Sequence, residues 1–375
     1  GFHLNEKLPP LPHPVLENCN SIFEAIDKKD QLLHYPYQIF KPVIRLMQEA
    51  ANDPLVKTIK ITIYRAADES DLNDAIALAA KNGKDVTVFI EVKARFDEQN
   101  NLKWGAIFRK NGARVIYSYP DIKVHSKILY IEREVEGKMK RYAYIATGNF
   151  NENTATLYTD FGLMTAHKKI TKDLKKVFMV LERDMIVPKT KQLLVSPFTT
   201  RERFTALVER EIALANEGKK GLIILKMNSL QDEGMIKELY KASNAGVEVR
   251  LLIRGMCSLV PGIEGQSENI SITSIVDRFL EHGRIYIFGN DGDEQLFIGS
   301  ADWMTRNLTH RIEVVTPILD EDHKKTIRDI INIELNDNVK ARIIDAEQKN
   351  EYVKNSAKKV QSQLAIYEYF KNLTE

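Results

Sequence analysis

A long internal duplication constrains this chain more than any other feature of its sequence. The first half reads TIKITIYR (58–65), a run rich in β-branched residues that predicts a strand. A helix-like stretch, DLNDAIALAAKNG, follows, and then a second strand, DVTVFIEV (85–92). The second half repeats the order with GLIILKMN (221–228), GMIKELYKASNAG and VEVRLLIR (247–254). Gly83 and Gly246 stand where each helix should end, as C-caps. The parallel then continues through a hairpin. KVHSKILYIE (123–132) returns as RYAYIATGNFN (141–151), and EHGRIYIFG (281–289) returns through NDGDE as QLFIGSADW (295–303). Both hairpins end in a corner of small residues, Thr147-Gly148-Asn149 and Gly299-Ser300-Ala301-Asp302. A third strand and a helix close each copy: DFGLMTA with residues 168–184, and RIEVVTPI with residues 320–335.

A repeat this long is a duplicated domain, not a solenoid unit. Each copy alternates strands with helices, which predicts an α/β fold with a mixed sheet flanked by helices. The 375 residues suffice for two such domains. We place them at residues 13–190 and 191–375, with the boundary near Pro188–Pro197. Residues 1–12, with the Pro-rich LPPLPHP beginning there, read as a linker from upstream domains, so the chain is expected to be a piece of a longer protein. The last stretch, KVQSQLAIYEYFKNL, spaces Val360, Leu364, Tyr367 and Phe370 for one face of a closing helix on the second domain.

Composition excludes more than it assigns. Hydrophobic content of 43% and charged content of 28% rule out a disordered tail or a fibrous rod. With 54 Lys+Arg against 52 Asp+Glu, the net charge of +2 names no polyanionic partner, so any anion site must come from local clustering. Cys19 and Cys257 form neither a disulfide framework nor a metal cluster, and a reducing cytoplasm is the expected location. No run approaches the roughly 18 to 20 apolar residues that span a bilayer.

Of eight histidines, two occupy matching places in the repeats. His125 lies in His125-Ser-Lys127 and His282 in His282-Gly-Arg284. Each begins a hairpin strand, and alternation puts the cation two residues later on the same face. Facing domains would bring both pairs to one cleft. A neutral imidazole can attack phosphorus and hold a phosphoryl group. A second, protonated one can stabilise the leaving oxygen. Lys127 and Arg284 would neutralise nonbridging oxygens. Arg65, Arg95 and Arg254 stand at or just beyond strand ends, where open α/β sheets bind ligands, and guanidinium forks suit phosphate oxygens. Asp160, on the third strand, has two readings: a carboxylate that orients a histidine, or a structural residue. Asn149 and Asn151 are divided between phosphate contacts and a tight turn. No P-loop pattern is present.

Two copies of H-x-K followed by a small-residue corner resemble the phospholipase D-like superfamily. The chain departs from its motif at Glu132, where the superfamily has Asp, and at Arg284 and Gly289 in the second copy. The wider blocks IYRAA, EVKARFDE, KVHSKI, YIATGNFNENTATLYTDFGLMTA, LIRGMCSLVPG, IVDRFLEHGRIYIF and SADWMTRNL resemble the C-terminal catalytic half of the bacterial polyphosphate kinase family, the large ATP-linked type. That resemblance implies two tandem phospholipase D-like domains around one active site. It implies reversible transfer of the ATP γ-phosphate to polyphosphate, releasing ADP, through a phosphohistidine at His125, with His282 as partner acid and phosphate contact. It implies Tyr158 and Arg254 at the nucleotide. It implies Mg²⁺ near Arg65 and Arg95; a guanidinium only donates, so these arginines would clamp phosphates that carry the ion. Its expected partners are ATP, ADP and polyphosphate, not nucleic acid. It also implies an oligomeric parent, with this piece a monomer. The rival reading from the same histidines is a phospholipase D-like phosphodiesterase or nuclease.

Overall fold

The computed structural model describes residues 8–65, 67–91, 98–118 and 122–374. Its first sheet is built from β1 (Gln31–Tyr35), β2 (Val56–Ile63), β3 (Asp85–Ile90), β4 (Arg114–Tyr117), β6 (Lys127–Val135), β7 (Lys138–Ala146) and β8 (Tyr158–Thr165), with β5 (Lys123–Val124) set apart. The second uses β9 (Leu194–Ser196), β10 (Leu222–Met227), β11 (Glu248–Ile253), β12 (Ile270–Ile275), β14 (Arg284–Phe288), β15 (Gln295–Gly299), β16 (Arg311–Pro317) and β17 (Ala341–Ile343), with β13 (Leu280–Glu281) set apart. The spatial orders are β1-β8-β7-β6-β2-β3-β4 and β17-β12-β11-β10-β14-β15-β16. In each, the strand–helix–strand unit makes a parallel pair, β2 with β3 and β10 with β11. The following hairpin adds antiparallel strands on the other side, β6 with β7 and β14 with β15. The duplication in the sequence is thus a duplication of sheet topology, and the chain has the two tandem mixed sheets flanked by helices that the repeat predicts.

Local signals account for the connecting helices. Ser70 caps helix Asp71–Lys81 by accepting from Asn73 N, and Asp232 caps helix Glu233–Asn244 by accepting from Met235 N. Beyond their C-termini, Gly83 and Gly246 take the left-handed conformation, at φ +80° and +87°. Each helix lays Ile and Leu on its own sheet, including Leu72 and Ile76 in the first domain and Ile236 and Leu239 in the second.

The two short strands cross over. β5 pairs in parallel with β16 of the second domain, and β13 pairs in parallel with β8 of the first. Each domain therefore places a two-residue strand on the edge of the other's sheet. Apolar clusters drawn from both halves seal the junction: Leu32, Tyr37, Phe161 and Leu163 pack with Ile285, Ile287 and Ile330, while Val124 and Ile128 pack with Ile312 and Val314. Joint burial on this scale makes the pair one folded unit.

The closing helix differs from the expected one in register and in partner. It runs Ser362–Thr374 and buries Gln363, Ile366 and Phe370. Val360 precedes it, and Leu364 is only partly buried. Phe370 packs on His34 and Tyr37 of the first domain, so the helix closes the junction between the domains and not the second domain alone. A polar residue, Gln363, takes a core-facing position because it meets buried partners there, which apolar periodicity does not reveal. Among the described residues, no helix is long and apolar enough to cross a membrane.

Candidate active site

The crossed strands lead directly into the two histidines. His125 follows β5, and its backbone N–H donates to Ile312 O at 3.0 Å. His282 follows β13, and the N–H of Gly283 donates to Thr159 O at 2.7 Å. Each imidazole is thereby held against the third strand of the opposite domain, beside an acid on that strand. His125 Nδ1 lies 2.9 Å from Glu313 Oε2, and His282 Nδ1 lies 2.8 Å from Asp160 Oδ1. The two pairs are electrostatically linked: Arg284 and His282 act on His125, and Lys127 acts on His282. Both imidazoles thus lie at the junction of the two domains, and the Asp160 carboxylate bonds the ring of His282.

The small-residue corners support the acids in the same way in both halves. Thr147 Oγ1 donates to Asp160 Oδ1 at 2.5 Å and accepts from Phe161 N at 2.9 Å. Ser300, its counterpart, accepts from Val314 N at 3.2 Å, and its hydroxyl bonds Glu313. Gly148 is required here, because a Cβ at that position would run into the Asp160 carboxylate. Asn307 Nδ2 adds a 2.7 Å bond to Glu313. Both cations are buried and fold back on their own repeat. Lys127 Nζ donates to the carbonyl of His125, and Arg284 Nη1 to that of His282 at 2.7 Å. Arg284 also pairs with Asp302 at 3.2 Å. The matching position in the first repeat is Asn149.

Electrostatics separate the two half-sites. Burial lowers His125 well below 6.5, and Lys127 and Arg311 push it further. Burial also pulls Lys127 down to about 7 and Glu313 up to about 7. In the other half, burial acts to raise Asp160, but His282, Thr147 and Arg284 outweigh it and hold the carboxyl below its ordinary value. Burial lowers His282 as well, with Asp160 opposing. Both imidazoles are therefore neutral as the structure stands, so the protonated second imidazole expected from sequence needs an arriving anionic charge to form.

The remaining residues singled out by sequence fall around this centre. Tyr158 places its ring 5.2 Å from that of His282. Arg254 extends from the end of β11, and its Nε donates to Glu281 O at 2.8 Å while Nη2 donates to Asn228 Oδ1 at 2.6 Å. Arg65 follows β2 next to Tyr64, whose ring meets His125 edge-on at 5.0 Å. Arg95 lies outside the described residues. Asn151 caps the next turn, accepting from Thr154 N at 3.0 Å, and its Nδ2 donates to Arg65 O at 3.4 Å. Glu132 is held by Tyr130, Arg141 and Lys175, as an ion-paired strand residue. Two residues at the histidines escaped sequence reading, Glu313 and Tyr64. The duplication carried the signal for the first, since Glu313 opens the third strand of its repeat as Asp160 does. Among the described residues no group of three or more His, Cys, Asp or Glu side chains could hold a metal ion. The donors present, chiefly guanidinium and ammonium groups, do not fit a magnesium ion held by the protein itself.

Comparison with known proteins agrees with this architecture. Residues 21–187 match the family model described as polyphosphate kinase C-terminal domain 1, and residues 193–363 match C-terminal domain 2. A polyphosphate kinase from Vibrio parahaemolyticus is 50% identical over 98% of this chain and 53% of its own length. The chain spans about half the length of the curated relatives it matches. The crystal structure of polyphosphate kinase from Porphyromonas gingivalis superposes with a TM-score of 0.92 at 44% identity, covering 99% of this chain and 57% of that one. A phosphatidylserine synthase from Haemophilus influenzae shares the fold at TM-score 0.56 and 9% identity, over 92% of this chain and 93% of that one.

Proposed function

This chain belongs to the polyphosphate kinase family, and we propose that its two domains form a phosphoryl-transfer centre that moves the ATP γ-phosphate reversibly to polyphosphate through a phosphohistidine at His125. The observation that carries the reading is the crossed pair of carboxylate-backed imidazoles, each followed by a buried cation.

The chemistry follows from the proton on His125. When Glu313 is ionised, Nδ1–H of His125 donates to it, and the Nε2 lone pair is free. That nitrogen attacks the γ-phosphorus in line, forming a P–N bond as the bond to the β,γ-bridging oxygen breaks. ADP leaves with the electron pair. In the second step a terminal oxygen of polyphosphate attacks the same phosphorus and the P–N bond breaks, restoring the imidazole. His282, oriented by Asp160, faces the developing charge. An anion arriving beside it favours its protonated form, which donates to the leaving oxygen. Arg284, fixed by Asp302, and Lys127 lower the repulsion between anionic donor and acceptor. Arg254 and Tyr158 contact the nucleotide, and Arg65 and Arg95 clamp phosphates. Mg²⁺ enters on the phosphates of ATP as part of the substrate. We place the reaction in the cytoplasm, where ATP is made, and assign a monomer to this chain and an oligomer to a longer parent.

The test is phosphate transfer to the protein. Incubation with Mg²⁺ and γ-labelled ATP, or with labelled polyphosphate, should give acid-labile, base-stable label in wild type and none in His125→Ala. Label retained in His125→Ala would remove the assignment. Hydrolysis of a phosphodiester without nucleotide, and no label from either donor, would favour the diesterase reading instead.

A further inference from the structure

Behind His282 lies a buried ionic cluster that the reaction does not use. Lys226, Glu281 and Glu334 are 3%, 5% and 1% exposed. Lys226 Nζ donates to both Glu281, at 2.5 Å, and Glu334. Glu281 also accepts from Thr159 Oγ1 at 2.8 Å and from Gln363 Nε2 at 2.7 Å. Gln363 belongs to the closing helix, where it is pinned on both sides by the backbone of Phe279. Burial raises Glu334 to about 8, while Lys226 and Gln363 keep Glu281 low against burial, so the cluster holds one cation, one carboxylate and one carboxylic acid near neutral pH.

The duplication supplies its own control. By strand register, Glu281 of β13 corresponds to Val124 of β5, and Lys226 of β10 corresponds to Thr62 of β2. Val124 packs on Ile312 in the first half, and its backbone N–H donates to Glu91 Oε2 at 3.1 Å, so that strand is tied through its backbone while its side chain is apolar. The fold can therefore seat an apolar side chain at this strand position, and burying three ionisable groups around it is the costlier arrangement. What distinguishes the second half is what the strand carries. The carbonyl of Glu281 receives Arg254 Nε at 2.8 Å, the next residue is His282, and Asn228 binds both, with Oδ1 to Arg254 and Nδ2 to the carbonyl of His282 at 3.2 Å.

We propose that Glu281, clamped by Lys226, Glu334 and Gln363, is a positioning residue that sets Arg254 and His282 for the phosphates, and that the closing helix thereby supports the active site. Directional bonds to the Glu281 side chain add a restraint on strand position that the packing of a valine side chain does not supply. The helix Ser362–Thr374, which spans both domains, thus reaches the nucleotide side of the cleft through one amide. The inference rests on Arg254 and His282 being the phosphate contacts proposed above.

The experiment replaces the cluster as a unit, so that no charge is left unpaired. Lys226→Met/Glu281→Leu/Glu334→Leu exchanges a net-neutral cluster for apolar groups and should keep or raise the melting temperature. ATP KM should rise about tenfold with a smaller change in kcat, as expected when a phosphate contact is misplaced. The His282 imidazole titration, followed by NMR with labelled histidine, should move by about one pH unit because its distance to Asp160 has changed. Gln363→Leu alone should move both readouts in the same direction by less. A triple variant that melts normally with wild-type KM and wild-type His282 titration would overturn the proposal. If wild type neither binds nor uses ATP, the kinase reading fails, and the His282 titration still decides whether the cluster positions the imidazole.

Discussion

The two half-sites share a backbone and differ in how firmly their charges are held. Around His282 the charges are fixed. Asp160 stays ionised, and Arg284 is a guanidinium with a carboxylate partner in Asp302. Around His125 they are poised. Lys127 falls to about 7, Glu313 rises to about 7, and the position of Asp302 is taken by an amide, Asn149. The duplication has thus produced one half suited to standing electrostatic support and one whose proton can move near neutral pH. The role proposed for His125, a nucleophile that must exist in one tautomer, calls for the second kind of environment.

Removing each acid tests that division most severely. Glu313→Gln should slow labelling of His125 by roughly 10³- to 10⁴-fold, the cost of the wrong tautomer in comparable carboxylate–imidazole pairs. Asp160→Asn should slow it by roughly 10²-fold, since it weakens a donor and not the nucleophile. Rapid-quench labelling measures both, and equal losses would erase the distinction between the halves.

The pH dependence should divide along the same line. Because Nε2 of His125 is free only when Glu313 is ionised, labelling should rise about tenfold per pH unit below 7 and level off above it. Stability should run the other way. Between 4.5 and about 7, folded Glu313 keeps a proton that the unfolded chain has lost, so its contribution falls as pH rises through that window. Melting temperature against pH in wild type and Glu313→Gln checks the second statement, with a flatter curve expected in the variant. A labelling rate independent of pH would mean that Glu313 does not control the tautomer.

A smaller effect should come from making one half resemble the other. Lys127 and Glu313 titrate as a coupled pair, and above about 7 the ammonium is being lost. Lys127→Arg keeps the cation at every pH and should raise labelling about threefold at alkaline pH, with little change near neutrality. A uniform fall in rate would show instead that the compact ammonium is needed for its bond to the His125 carbonyl.

Much of this molecule could be read before any coordinates. The helices were visible because Gly83 and Gly246 signal their ends within a few residues of chain. The matched His–cation pairs were visible because they recur at the same place in each repeat. The closing helix was visible in outline only, since its buried face includes Gln363, whose reason for being inside is a carboxylate 82 residues away. The Lys226 cluster was invisible for the same reason, as nothing in a strand sequence such as LIILKM says that its lysine meets two glutamates in the core.

By itself, the sequence determined that this protein is a duplicated α/β fold with two equivalent imidazoles, because topology and motif repeat are written in local order and periodicity. Only the tertiary structure decided which acid serves which histidine. His125 meets Glu313 across 188 residues and His282 meets Asp160 across 122, each reaching into the opposite domain. A pairing of that kind depends on how two finished sheets exchange their edge strands, and edge exchange is settled by the packing of whole domains, which no window of sequence contains.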